Sequence, residues 1–524
     1  MNSIFLFGST AASLGLSDSA KIMLWVGMAI YMVVLMGIGL WSGSKINDMK
    51  DFLVAGRRLP LWMATATLLA TWFGAGSSMG VSATVFSEGI GGVIADPIGA
   101  GISLILAGIF IVGLLRKQKH LTVTDIISTK FGTGAGIYAS LWMVPVYIGW
   151  IAAQLLGMGT ILHVITGISV FKGTLIGAGV VLIYTVSGGM WAVTLTDVVQ
   201  VSLLAIGLIV IMPFALREAG GLESVVASLK PSDLAIVPES FNSVNDVTYY
   251  IGSWIIMGLG CMVGQDLIQR SLSSKDSKVA VSSSILSGFL YLMIGLIPII
   301  IGFTARTVLA KHGITTATMG DDLENQVMPR MAILILGNIH PILMTIFLSA
   351  LISAIMSSAD SSLLAGSSLM VRNVIDKLFP AKTTKSTLNR TRFVTIVLLV
   401  IATILAFTAK SIYALMVNCW TSQLVVVFLP VVIALYFPKT NRATAWAVMF
   451  LSTLVWIFYT FVNLCDTKMS FAELVGSDIF ERTQTCGAVY GFATGILTFI
   501  FCYAGEFITR KVAGDIPDSE QDEE

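Results

Sequence analysis

Residues Leu68–Phe86 read LLATWFGAGSSMGVSATVF. The stretch is apolar enough for a membrane span, yet Gly74, Gly76 and Gly80 crowd its middle. Glycine weakens a helix interior, so this span is expected to break near its centre. Residues Ile251–Arg270, IGSWIIMGLGCMVGQDLIQR, repeat the pattern with Gly258, Gly260 and Gly264. Glycine clusters also occur where membrane helices pack closely. Two such stretches in corresponding places of two repeats instead point to a carrier with a midplane binding site.

Working outward, the 524-residue chain is 56% hydrophobic and only 12% charged. Soluble domains carry roughly 25% charged residues, so lipid must cover much of this surface. Thirteen apolar stretches are long enough to cross a bilayer, near 22–42, 61–86, 92–115, 134–158, 165–187, 192–215, 247–268, 279–304, 333–371, 391–409, 411–437, 442–463 and 485–508. The ninth is too long for one span. The glycine-rich spans are the second and seventh. Spans 2–6 and 7–11 then form two five-helix repeats, and an odd repeat length inverts the second copy. The expected organisation is an outside N-terminus, first helix and loop over 1–60; a transport core over 61–440, with repeats at about 61–215 and 247–437; two further helices over 441–508; and an acidic tail over 509–524.

The 31 Lys and Arg sort unequally between alternating loops. The richer set includes Arg57, Arg58, Arg116, Lys117, Arg372, Lys377, Lys439 and Arg510. The positive-inside rule puts that set, and the C-terminus, in the cytoplasm and the N-terminus outside. The near-balance of 31 basic and 30 acidic residues gives no reason to expect a nucleic-acid partner. Five cysteines without CxxC spacing argue against a redox or metal motif. Cys465 and Cys486 bracket the last outside loop and read as two unpaired thiols, with a disulfide as the alternative.

In the ninth span, LSALISAIMSSADSSLLAGSSLMVRN, residues Ala354, Ser357, Ser358 and Ser361 share one helical face. Hydroxyls and freed carbonyls suit sodium, although a hydroxyl stripe also serves as interhelical glue. Asp96, Asp197, Asp266 and Asp360 lie at membrane depth, where a carboxylate is costly and marks function by default. No Lys or Arg falls well inside any span to pair with them, so sodium, a proton or a cationic solute is the expected partner. For Asp266, an i,i+4 pair with Arg270 at the helix end is the alternative.

At SAIMSSADSSLLAGSS the chain resembles the sodium:solute symporter family. DFLVAGRRLPLW, ATWFGAG and YTVSGGMWAVTLTDVVQ extend the resemblance over most of the sequence. It implies an all-α membrane protein of about thirteen transmembrane helices, built as a LeuT-type 5+5 inverted repeat with extra helices at both ends. It also implies sodium as the coupling ion, with the family's common sodium site falling on Ala70, Phe73, Ala354, Ser357 and Ser358. A second sodium or proton site, found in some members, falls on Asp197, Asp360 and Ser361. Within the family, the motifs read most like those of the high-affinity choline transporters, whose aromatic cage holds a quaternary ammonium. Two cage positions match, Trp72 and Trp150; two others fall on Ala100 and Gly264, and Trp254 lies ten residues from the latter. Gln265 and Asp266 beside that gap suit a solute with N–H donors.

The expectation is therefore a plasma-membrane symporter, not an enzyme, with no organic cofactor and with sodium, lipid and a small amine or amino-acid-like solute as its partners. The solute site is expected at Trp72, Trp150, Gly264, Gln265 and Asp266. The alternatives are a membrane sensor on the same fold, or a sodium-coupled sugar or carboxylate carrier.

Overall fold

The computed structural model describes residues 54–512 apart from 119, 316–324, 340, 466 and 468–476, together with scattered positions between 22 and 37. Most of the first expected span and the acidic tail lie outside the described residues. Ten helices among the described residues are long and apolar enough to cross a membrane. The thirteen expected spans differ from these ten at three informative places.

The first is the second span. Helix α1 (Leu61–Trp72) stops at Phe73, whose φ of −87° and ψ of 74° leave the helical region. The chain resumes through a wide turn over Gly76–Gly80 into α2 (Val81–Glu88). Gly74 makes the break sterically feasible: an added Cβ would stand 2.5 Å from both Gln154 Oε1 and Ser358 Oγ. Span α3 (Ile90–Gln118) follows, interrupted at Asp96 (φ −140°, ψ 126°), and a short helix α4 (Val123–Phe131) leads into α5 (Thr133–Thr166).

The second is α6 (Val170–Glu218), one helical run where two spans and a loop were expected. It is not straight. Thr185 bonds to Asp360 and Asp197 bonds to Ser357. Twelve residues of straight helix rise about 18 Å, whereas the three positions between Ser357 and Asp360 rise about 4.5 Å. The run therefore bends between Thr185 and Asp197, and both its halves lie along the serine helix.

The seventh span repeats the break of the second. Helix α7 (Val244–Ile255) passes through a widened turn over Ile256–Gly260 and a tightened one over Cys261–Val263 to Gly264, where ψ is 131°. Gly264 is then the N-cap of α8 (Gln265–Ser273), every residue of which is buried. The two broken spans meet at one end: Leu59 N donates to the Ser273 carbonyl at 3.1 Å, and Lys275 N to the Leu59 carbonyl at 3.0 Å.

After α9 (Ser277–Ala310) comes the third difference. The long ninth span is two helices, α10 (Val327–Ile339) and α11 (Pro341–Ser368), which divide at Pro341. Proline lacks an N–H and suits a first helical position, so a new helix starts there. Helix α11 continues as a wider turn over Leu369–Ile375. Helix α12 (Thr384–Ala406) leads to a span split by a turn at Cys419–Trp420, giving α13 (Ile412–Asn418) and α14 (Leu429–Tyr436). Helices α15 (Arg442–Cys465) and α16 (Asp478–Val512) pack on each other. Helix α11, in contact with α1, α5, α6 and α12, is the centre of the bundle. Its residues from Phe347 to Leu369 are all buried, whereas α15 and α16 expose Phe458, Phe461, Phe501 and Phe507, as lipid-facing helices do. Cys465 and Cys486 carry free thiols.

Candidate ion and solute site

The break in α1 faces the serine side of α11. The Ala70 carbonyl, in the last turn of α1, accepts from Ser357 Oγ at 3.4 Å and from Ser358 Oγ at 3.3 Å. Phe73 is the residue at which α1 ends, and Ala354 stands one turn before the two serines. Oxygen separations of 3.3–3.4 Å match the edge of an octahedron with metal–oxygen bonds of about 2.4 Å, the range of hard cations. Ala70, Ser357 and Ser358 are thus brought together as the sequence led one to expect. The donor set, a carbonyl and two hydroxyls around a buried point with the Asp197 carboxylate bonded to one of the hydroxyls, fits a monovalent cation.

One turn further along α11, the charges are arranged differently from the expectation. Asp197 accepts from Ser357 Oγ at 2.5 Å and from Thr67 Oγ1. Asp360 accepts from Thr185. The expectation that no basic side chain enters the membrane interior is wrong. Arg270 is fully buried, with Nη2 at 3.8 Å from Asp197 Oδ2 and bonded to Ser361 Oγ, while Nη1 donates to the Asp266 carbonyl at 3.2 Å. The cation beside Asp197 and Ser361 is a guanidinium supplied by the chain. Arg270 looked like a span-end residue because it lies four positions after Asp266. Its depth is set by the break at Gly264, which moves α8 into the core.

The solute residues also divide. Trp72 and Trp150 meet with ring centroids 6.4 Å apart, and a third ring that sequence reasoning missed, Trp420, lies 6.2 Å from Trp72 and 4.7 Å from Trp150. Trp420 covers the gap at Gly264, where an added Cβ would stand 3.2 Å from its ring. It sits on the turn between α13 and α14, so no helical periodicity marks it. Tyr147 packs on it at 6.4 Å. Asp266, expected to face solute, is already engaged: Oδ2 accepts from Trp72 Nε1 at 2.5 Å and Oδ1 from Tyr147 Oη at 2.9 Å. Gln265 points elsewhere, its Oε1 accepting from Val123 N of α4 at 2.8 Å. These two residues tie the tryptophan cluster and the adjoining end of α8 in place.

At that end, Asp125 of α4 accepts from Asn373 Nδ2 at 2.9 Å and pairs with Arg372 at 3.4 Å. Burial pushes its carboxyl up, but Arg372, the backbone N–H groups of Leu121 and Thr122, and the Asn373 amide together hold it below the usual carboxylate range.

A model of the sodium:solute symporter family matches residues 52–452. The chain belongs to that family. Its members are transporters, not enzymes, and this chain is a multi-pass membrane protein. Among curated relatives, the high-affinity choline transporter 1 of Caenorhabditis elegans is 28% identical, over 79% of this chain and 74% of its own length. The sodium/pantothenate symporter of Haemophilus influenzae is 27% identical, over 73% of this chain and 78% of its own. A solved structure of a Na+-coupled sialic acid symporter, substrate-bound and outward-open, superposes with a TM-score of 0.70 at 17% identity, covering 90% of this chain and 98% of that one. That likeness shows the shared fold, the LeuT-type all-α membrane architecture, and agrees with the two broken spans described above.

Proposed function

We propose that the protein couples the inward flow of sodium to the uptake of a small organic cation, an amine or amino-acid-like compound, by alternating access. The observation that carries this reading is the convergence of the Ala70 carbonyl with Ser357 and Ser358 across the break in α1. Sodium bound there, with Phe73 and Ala354 completing its shell, joins α1 to α11 and favours the arrangement in which the tryptophan pocket is formed. Each sodium entering a cell at −100 mV contributes about 2.3 kcal/mol from the potential alone. Coupling requires that the half-loaded carrier not change sides freely.

The cationic character of the solute rests on Trp72, Trp150 and Trp420, whose faces attract an ammonium by cation–π interaction. The choline named for relatives is one candidate of that kind. The pantothenate named for others is an anion, and the buried cation nearest the tryptophans among the described residues, Arg270, is already held by Ser361, Asp197 and Asp266. One sodium per cycle is the reading that fits Arg270. A second ion or proton at Asp197, Asp360 and Ser361 would require the guanidinium to withdraw. The transport core spans 61–440, with repeats at about 61–215 and 247–437. The basic loops face the cytoplasm of the plasma membrane, with the N-terminus outside and the C-terminus inside.

Counterflow in proteoliposomes tests the reading. A symporter accumulates labelled solute when sodium is present outside and not when potassium replaces it. Binding without flux in both salts would favour a sensor on the same fold.

A further inference from the structure

One Tyr291 side chain away from the tryptophan cluster stands a carboxylate that takes no part in the ion site. Asp96 is fully buried, at the interruption of α3. Its Oδ1 accepts from Tyr291 Oη at 2.5 Å, and its backbone N–H donates to Tyr413 Oη at 3.2 Å. Its Oδ2 is buried and accepts no well-formed hydrogen bond among the described residues, with the Ser77 hydroxyl the other donor next to the carboxyl group. No basic side chain among them pairs with it.

Asp96 also lies between the two breaks. The Tyr291 hydroxyl that holds it is 2.5 Å from Ser77 Oγ and 3.4 Å from the Trp72 carbonyl, both in the first broken span. Tyr291 packs edge-on against Trp72 at 6.4 Å. Gly99, three residues on, would place a Cβ 3.4 Å from Met257 and 3.7 Å from Gly258, in the second broken span. Two buried N–H groups of the pocket, Trp150 Nε1 and Trp420 Nε1, also meet no acceptor.

A buried carboxylate with an unused oxygen is costly unless a cationic donor completes it. A quaternary ammonium has no N–H to give. A primary, secondary or tertiary ammonium has at least one. We propose that Asp96 is the residue that selects the solute, accepting an N–H hydrogen bond from a protonated amine whose alkyl part lies against the tryptophans and whose oxygen accepts from an indole N–H. The class is amino alcohols or amino acids carrying an N–H ammonium, rather than quaternary amines. This inference rests on the symport reading, and moves solute recognition from Asp266, whose oxygens are both taken, to Asp96.

The test is a binding series on the purified full-length protein in sodium: ethanolamine, N-methylethanolamine, N,N-dimethylethanolamine and choline. The last two differ by one methyl and by the presence of the N–H. A hydrogen bond to a charged group implies at least about tenfold tighter binding of the three N–H amines than of choline. In Asp96→Asn and Asp96→Ala, the N–H amines fall to within about threefold of choline. Sodium-induced thermal stabilisation, read in the same samples, shows that both variants are folded, since Asp96 lies outside the sodium ligands. Choline binding as tightly as the dimethyl amine to the unaltered protein overturns the inference. So does an amine preference that survives both substitutions. Sodium-driven uptake of a different solute class, with no amine bound, overturns this inference and leaves symport standing; no sodium-dependent uptake of any solute overturns symport itself.

Discussion

The Arg270 guanidinium lies 3.8 Å from the Asp197 carboxylate, and both side chains are fully buried. The pair joins α8, the inner half of the second broken span, to α6 beside the serine helix. In this arrangement the guanidinium stands where a second cation at Asp197 and Ser361 would sit.

Removing one partner of a buried pair strands the other charge, at a cost of about 3–5 kcal/mol. Arg270→Gln should therefore lower thermal stability strongly, and Asp197→Asn in the same chain should recover part of the loss. The double-mutant cycle measures this directly; additive losses would show that the two charges do not interact. With both residues intact, sodium dependence of uptake should have a Hill coefficient near one, and Asp360→Asn should leave it there. A coefficient near two would place a second ion at Asp197, Asp360 and Ser361.

Ser357→Ala together with Ser358→Ala removes two of the oxygens around the Ala70 carbonyl. The sodium concentration for half-maximal uptake should rise by at least about tenfold, the worth of one or two lost charge-assisted contacts. Uptake measured over a sodium series decides it, and an unchanged half-maximum removes these serines from the ion site.

Trp420→Ala should weaken solute binding by roughly tenfold or more, since a desolvated cation–π contact is worth about 2 kcal/mol. Trp72→Ala should act similarly. Sodium-induced stabilisation should change little in either. Equal loss of both ligands would mean that the pocket has collapsed rather than lost a wall.

Gly74→Ala puts a methyl group 2.5 Å from Ser358 Oγ and Gln154 Oε1. The break in α1 would be pushed off the serine helix, so sodium-dependent stabilisation should be lost while expression persists. Full sodium affinity in this variant would contradict the close approach on which the ion site depends.

The sequence showed the architecture where local chemistry sets it. Clustered glycines marked both breaks, and the hydroxyl face of α11 marked the serines that meet the Ala70 carbonyl, because each signal lies within a few residues. Arg270 was read only as a helix-end partner for Asp266, and Trp420, inside the span expected over 411–437, was not singled out. Their roles come from how a break or a turn re-aims a distant segment. Asp266 and Gln265 were expected to face solute, whereas contact with Tyr147 and Val123, more than a hundred positions away, engages their polar atoms. In α6 the two expected spans are the halves on either side of the bend, and only the loop between them differs, because apolarity alone cannot tell a loop from a bent helix.

Helix α4 donates its first N–H to Gln265 and offers Asp125 to Arg372 and Asn373. It thereby clasps the foot of the second broken span to the end of the serine helix. On the symport reading, a clasp made in this arrangement and broken in the opposite one shifts the balance between the two. Weakening it at Asp125 or Gln265 then changes the speed of switching and, through the population of the binding-competent arrangement, the apparent affinities as well, so turnover and affinity are tied together by one contact that touches neither tryptophans nor serines.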